Sequence, residues 1–279
     1  MGFFTEINTL DDIPQFEIDK VAVSDANGNR IPDAYSLQRS DSGQHLGFVK
    51  GSYRPIQVDE MLNIINDASN IIGDIEHEGY TESANGKKMV VRSRLLHDID
   101  LDGDVIQPLF YTVIDNSGMG SNKSIASTVR ITCDNAFHLL KQDAENATGR
   151  FQGVRHHDTF DEKIETMVNQ IKANVRSTVA FADTARKLRG ESFSVDNMAK
   201  LTQQLIPVKE EESTKRVQKR ERMVELFRSG MGNIGKSKWD ALNAVTEYET
   251  HTGKQSSEKF IRSFNGNTLS NQAHKMLVA

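Results

Sequence analysis

The chain has 279 residues, 37% of them apolar and 26% charged, with 5 prolines and one cysteine. That length can bury a sizeable core, and the balance excludes a disordered, collagen-like or membrane-embedded chain. Cys133 leaves no disulfide framework, no apolar run approaches a membrane span and the N-terminus is acidic, so a cytoplasmic protein is expected. The net charge of −5 hides an asymmetry: residues 1–140 carry 11 Lys and Arg against 21 Asp and Glu, and the remainder 23 against 18. Such a split suits either a basic face for an anionic partner or two halves that dock on each other.

Residues 20–24 alternate, Asn27-Gly28 is a hairpin-turn dipeptide, and residues 31–37 return. Residues 45–50 and 53–57 read as two further extended segments, the second because Arg54 precedes a proline. From Val58 the apolar residues Met61, Leu62, Ile64, Ile65, Ala68, Ile71 and Ile72 fall at helical spacing, and Gly73 supplies the stop. A second hairpin joins residues 74–83 and 87–99 through Asn85-Gly86. A third joins 109–114 and 124–132 across a glycine-rich loop, 116–122.

Beyond Thr159 the period changes to that of helices. Thr159 and Glu162 have capping-box spacing, and Ile164, Val168, Ile171, Val175, Val179 and Ala182 mark one apolar stripe of a helix running to Arg189, with Gly190 after it. Shorter helices follow over 195–206, 211–228, from the Ser237/Asp240 cap through Tyr248, and near 258–264 and 269–277. The expected class is α+β: a curved antiparallel sheet with one packed helix in residues 1–158, then an all-helical half, 159–279, packed on or following it.

Gly230-Met231-Gly232-Asn233-Ile234-Gly235-Lys236-Ser237 satisfies the P-loop pattern, but no apolar strand delivers it, so a helix end followed by a helix start is the plainer reading. Asp98 to Asp104 copies the opening of a calcium loop yet has Leu109 where the bidentate glutamate belongs, which points to a solvated hairpin connection. Cys133 near His138, and His156-His157-Asp158, fall short of a nucleophile or zinc set. Lys88, Arg92 and Arg94 share a strand face with Val90 and Leu96. Arg130 shares one with Ser124, Ala126 and Thr128, while Ile125, Val129 and Ile131 point inward. With Lys123 in the glycine-rich loop, these residues suit a phosphate backbone as well as they suit a solvated face. Tyr53, Phe110, Tyr111 and Phe151 are the stacking candidates. Lys215, Arg216, Lys219, Arg220 and Arg222 lie along one helix. Glu211 and Glu212 precede the first two by four residues, the order of helical ion pairs, and nucleic-acid contact is the other reading of that run.

Arg130-Ile131-Thr132-Cys133-Asp134-Asn135 and Ser237-Lys238-Trp239-Asp240-Ala241-Leu242-Asn243-Ala244-Val245-Thr246-Glu247-Tyr248-Glu249-Thr250-His251 resemble the two signatures of the phage/plasmid-like protein family called domain of unknown function 932, over about residues 47–276. The resemblance implies a setting of DNA replication, recombination or defence evasion. In outline the expected fold is also similar to single-strand annealing proteins of the Rad-fifty-two kind. The expectation is a phage-type, ATP-independent DNA-binding protein, not an enzyme and without cofactor or metal, that holds single-stranded DNA for annealing in recombination or replication. Lys88, Arg92, Arg94, Lys123 and Arg130 would neutralise phosphates. The hairpin over 74–99 has no proline to blunt its edge, so a homo-oligomer, a ring or filament, is expected. The alternative is a non-enzymatic interaction or structural protein, an assembly or anti-defence factor in which the acidic half meets a basic partner.

Overall fold

The structure, a computed structural model, describes residues 4–101, 103–130, 135–138, 154, 159–207, 214–252, 256–263 and 268–279. Among the described residues ten strands come first: β1 (Thr5–Glu6), β2 (Ile18–Ser24), β3 (Arg30–Arg39), β4 (His45–Val49), β5 (Ile75–Glu82), β6 (Lys88–Leu95), β7 (Ile99–Leu101), β8 (Asp104–Asp115), β9 (Lys123–Arg130) and β10 (Asn135–His138), with helix α1 (Val58–Ile72) between β4 and β5. Helices follow: α2 (Phe160–Gly190), α3 (Val195–Leu205), α4 (Thr214–Ser229), α5 (Lys238–His251), α6 (Ser257–Ser263) and α7 (Leu269–Val278). All pairing is antiparallel. The large sheet runs β1-β5-β6-β8-β9-β10 with β7 on β8, and β2-β3-β4 form a small separate sheet.

The turn chemistry works as the residues dictate. Asn85 and Gly86 both take positive φ, 70° each, matching the right-handed twist of β5 and β6, and Gly73 stops α1 at φ 73°. The extended segment expected over 53–57 is not a strand. The Lys20 ammonium bonds the carbonyls of Gly51 and Tyr53, and Gln57 Oε1 accepts from the Ile18 amide at 2.7 Å, so side chains take up backbone groups that a ladder would have used.

Helix α2 joins the two halves. Its N-terminal Met167, Val168 and Ile171 enter a core with α1 and with Met89, Val91, Phe110 and Ile114 of the sheet. Its C-terminal Phe181, Ala182, Ala185 and Leu188 enter a second core with α3, α4, α5 and α7. The buried seam runs through Met167, Ile171, Asn174, Thr178, Phe181, Ala185 and Leu188, and Val179 of the expected stripe is exposed. Alternating steps of four and three residues keep this seam on the sheet, and its middle is polar because the sheet there is polar. Asn174 donates to Ser124 Oγ at 2.8 Å, and the Ser124 amide donates to Gln170 Oε1 at 2.6 Å. Ser124, Ala126 and Thr128 therefore face α2, which corrects the expectation of a solvent-facing hydroxyl row.

The long hairpin is covered in part. β6 is internal, and β1 pairs with the middle of the outer edge of β5, with Thr5 opposite Tyr80, Glu6 opposite Gly79, and the Ile7 amide on the Glu78 carbonyl. Ser257 of α6 meets Thr81 beside it, Oγ to Oγ1 at 2.7 Å. Among the described residues, the strands with one neighbour in the small sheet are β2 and β4.

Candidate functional site

Strand register brings four of the five expected phosphate contacts to one face. Lys88 stands opposite Asp115, Arg92 opposite Tyr111, Arg94 opposite Leu109, and Lys123 opposite Val113, all on the side of the sheet away from α2. Arg130 is opposite Ile106, an odd number of residues from Lys123 and so on the alternate parity, and it is described by its backbone alone.

The charges on that face are answered within the fold. Lys88 Nζ lies 3.4 Å from Asp115, Arg92 Nε 3.2 Å from Glu78, and Arg94 sits 2.7 Å from Glu76 and 3.2 Å from Glu78. The Glu76 hydrogen bond raises the Arg94 pKa above its ordinary value, with Glu78 adding to it. Over the middle of the face lie Phe4, Phe260 and Ile261. Phe260 packs edge-on to Tyr111 at 4.9 Å and to Phe4 at 5.2 Å, so Tyr111 is a buried ring in place of an open stacking platform. Phe110 points into the main core, Tyr53 is half-buried, and Phe151 lies outside the described residues.

The glycine-rich loop is braced. Asp115 Oδ1 accepts from the Ser117 amide and hydroxyl, Asn122 Oδ1 accepts from the Asp115 amide, and Asn116 donates to the Gly86 carbonyl. A side chain at Gly47 would overlap the Ser117 carbonyl, so this strand of the small sheet lies directly against the loop. Lys123 opens β9, beyond the loop.

Helix α4 carries a different set of cations. Arg220 donates twice to the Ile206 carbonyl, at 2.6 and 3.0 Å, and Arg216 donates to the Pro207 carbonyl at 2.7 Å, so both satisfy carbonyls at the end of α3. Arg222 pairs with Glu225 at 2.7 Å. Lys215 and Lys219, exposed and one turn apart, have no partner among the described residues; Glu211 and Glu212 lie outside them. Between α3 and α4 is a groove of about 430 Å³ whose lining includes Thr202, Gln203, Val224 and Arg228.

The segment with the P-loop pattern ends α4 and starts α5. Asn233 donates to the carbonyls of Leu226 and Asp240, and the Lys236 and Ser237 amides both donate to Asp240 Oδ2, at 3.0 and 3.1 Å. The amides that would face a phosphate are thus occupied by a carboxylate of the same helix. The acidic run has a comparable role. Asp100 bonds the Gly103 amide, and buried Asp104 accepts the Trp239 indole N–H at 2.8 Å across 135 residues of chain. Asp102 lies outside the described residues, as do Cys133 and 155–158. Among the described residues, no group of three His, Cys, Asp or Glu is arranged to hold a metal.

The second signature segment is therefore the structural hub of the helical half. Trp239 latches the β7–β8 hairpin, Asp240 caps α5, and Glu249 reaches across to the amides of Leu269 and Ser270 at 2.6 and 2.8 Å to cap α7. β10, which begins at Asn135, packs against α5, so the first signature ends beside the second. A family model described as Domain of unknown function (DUF932) matches residues 45–275. The chain belongs to the DUF932 family. Comparison with curated proteins and with solved structures gave no match.

In this DUF932 chain, the pairing of Glu76 and Glu78 with Arg92 and Arg94 had a visible signal: acidic residues two apart on one arm of an Asn-Gly hairpin, basic residues two apart on the other. The Trp239–Asp104 and Glu249–α7 bonds had none, since each joins segments that only the tertiary fold brings together.

Proposed function

We propose that the chain is an ATP-independent nucleic-acid-binding protein that holds single-stranded DNA, in the phage or plasmid setting its resemblance implies, for annealing in recombination or replication. The observation that supports this reading is the state of the cations on α4. Lys215 and Lys219 are exposed with no ion pair among the described residues, and Arg222, within a turn of Lys219, pairs with Glu225, whereas Lys88, Arg92 and Arg94 on the sheet are paired with acids. Unpaired cations release condensed counterions when they meet phosphate; paired ones must first give up a carboxylate. The contact is accordingly proposed for α4, with the sheet face secondary. Annealing also asks for more than one copy, and the outer strands β2 and β4 of the small sheet are the edges proposed to join copies.

Fluorescence anisotropy with a single-stranded oligonucleotide at two salt concentrations tests this. Wild type should bind at low salt and weaken steeply as salt rises. Lys215→Ala with Lys219→Ala should lower affinity and flatten the log–log salt slope by about 1.4, or about 0.7 per lost phosphate contact. Arg92→Ala with Arg94→Ala should leave the slope unchanged. Absence of wild-type binding at low salt refutes the function, and the opposite variant pattern refutes the placement on α4. Light scattering of the free and DNA-bound protein tests assembly: a monomer in both states refutes it.

A further inference from the structure

We infer that the outer face of the small sheet is the base-contacting surface of the nucleic-acid site, with Phe48 as the ring on which a base of the single strand stacks. The inference rests on the nucleic-acid reading above and adds to it the contact that cations alone do not supply. Strand register defines the face. Val21 stands opposite Ser36, and Ser36 opposite Phe48, so the three side chains form one row across β2, β3 and β4. Leu37 and Gly47 belong to the other face, which the 116–122 loop covers: a β-carbon on Gly47 would strike the Ser117 carbonyl, and one on Gly118 would meet Val49 and Leu37. The row with Phe48 therefore points away from that loop, and Phe48 and Val21 are 66% and 42% exposed.

The ring does not stand alone. His45 lies 4.4 Å from it, centroid to centroid, at an angle of 45°. Ser36 Oγ bonds His45 Nδ1 at 2.9 Å and accepts from Gln38 Nε2 at 3.3 Å, so an imidazole and an amide are held beside the phenyl ring. His45 Nε2 and Gln38 Oε1 have no bond among the described residues and can meet the edge of a base, which presents both donors and acceptors. Cations complete the set. Lys50 and Arg54 are exposed and make no ion pair among the described residues, and a turn closed by the Tyr53 amide on the Lys50 carbonyl at 3.1 Å keeps both near the end of β4. Asp19 is also on this face, opposite Gln38 on β2, two strands from β4. An exposed ring, polar groups placed for base edges and unpaired cations at one border suit a single strand, whose bases stack while its phosphates follow the charge. A protein partner would ask for a wider apolar surface than Phe48 and Val21 offer. A copy added at the edge of β2 or β4 extends this face and leaves it open.

Fluorescence anisotropy of the full chain with a single-stranded oligonucleotide, and with a sugar–phosphate strand of equal length that lacks bases, tests the inference. Phe48→Ala should weaken binding to the base-bearing strand about five- to a hundredfold, the range of one lost stacking contact, with the salt slope unchanged. Its binding to the abasic strand should equal that of wild type. Phe48→Trp should keep wild-type affinity, and because residue 48 is exposed both variants should fold. Lys50→Ala with Arg54→Ala should flatten the log–log salt slope by about 1.4. A wild type that binds no DNA at low salt overturns the nucleic-acid reading and this inference together. Wild-type binding with Phe48→Ala equally tight overturns the inference alone, as does an equal loss on both strands. A Phe48→Ala protein with wild-type DNA affinity but a smaller assembly in light scattering would assign the face to a second copy and overturn it too.

Discussion

Replacing Trp239 with Phe tests whether the helical half is latched to the sheet through the signature tryptophan. The indole N–H donates at 2.8 Å to the buried Asp104 carboxylate, while the ring packs 6.1 Å, centroid to centroid, from Phe181. Phenylalanine keeps most of the packing and removes the donor. A hydrogen bond to a charged acceptor is worth about 1.5–3 kcal/mol. The smaller ring leaves a partly collapsed space, and together the loss should be on the order of 2–4 kcal/mol. For a chain of this size, that should lower the melting temperature by about 4–12 °C at roughly 2–3 °C per kcal/mol. Trp239 is the only tryptophan, so unfolding is best followed by circular dichroism. Asp104→Asn, whose amide oxygen can still accept from the indole, should cost about 1 kcal/mol. Arg186 and Arg189 also bond the carbonyls of Asp100 and Leu101, so the hairpin should loosen without detaching. Hydrogen exchange should therefore rise first in β7 and the start of β8. A Trp239→Phe protein as stable as wild type, with unchanged protection there, would refute the latch.

Lys163→Met should destabilise by about 1 kcal/mol in urea unfolding, because buried Lys163 bonds the partly exposed Glu60 of α1 at 2.6 Å, and a pair with one side in water is worth less than a fully buried one. An unchanged midpoint would mean that the pair is neutral to the α1–α2 contact. His77, bonded to Ser93 Oγ at 2.8 Å, has its pKa pushed down by burial from 6.5 to about 4. The unfolded chain then binds more protons than the folded one between pH 6.5 and 4, so stability is full above that window and falls as pH drops through it. His77→Gln should flatten the slope between pH 6.5 and 4.5, and an unaltered slope rules out the assignment. Glu249→Gln should weaken the cap on α7 by about 1 kcal/mol, read as faster hydrogen exchange in residues 269–273 than elsewhere. Uniform exchange would show that packing alone holds that helix.

What could be read from the sequence was whatever a short segment decides for itself. Gly73, the Asn85-Gly86 turn, the Thr159 and Ser237 capping boxes and the spacing within α1 each act over fewer than about twenty residues, and the elements they define are present. Errors began where an element depends on what covers it. Ser124 and Thr128 alternate with apolar residues, and alternation alone assigns such polar positions to solvent. Both are buried, and at Ser124 α2 supplies the partners, Gln170 and Asn174, polar residues inside its own seam. The inversion was therefore undetectable from either strand or helix taken singly. β1 was missed for a related reason: two paired residues have no periodicity, and with Phe4 beside them they help cover the face bearing Tyr111 and Val90, as does the expected helix α6.

The same distinction explains why the basic strand face looked more available than it is. A count of Lys and Arg along β6 says which side of the sheet they share, and the register bears that out. It does not say what stands one strand away. Glu76, Glu78 and Asp115 belong to segments that pair with β6 on either side, and each offers a carboxylate within 3.4 Å of a cation of that strand. On helix α4 the neighbours at four-residue spacing are fixed by the chain itself: those of Lys219 are Lys215 and Met223, neither of them acidic, so its charge has no partner at that spacing whatever the fold. A cation's availability to a phosphate is thus more legible on an exposed helix than on an internal strand. If the α4 and sheet variants exchange their expected salt slopes, that generalisation fails for this protein, because Arg92 and Arg94 would then be releasing Glu76 and Glu78 in favour of the ligand.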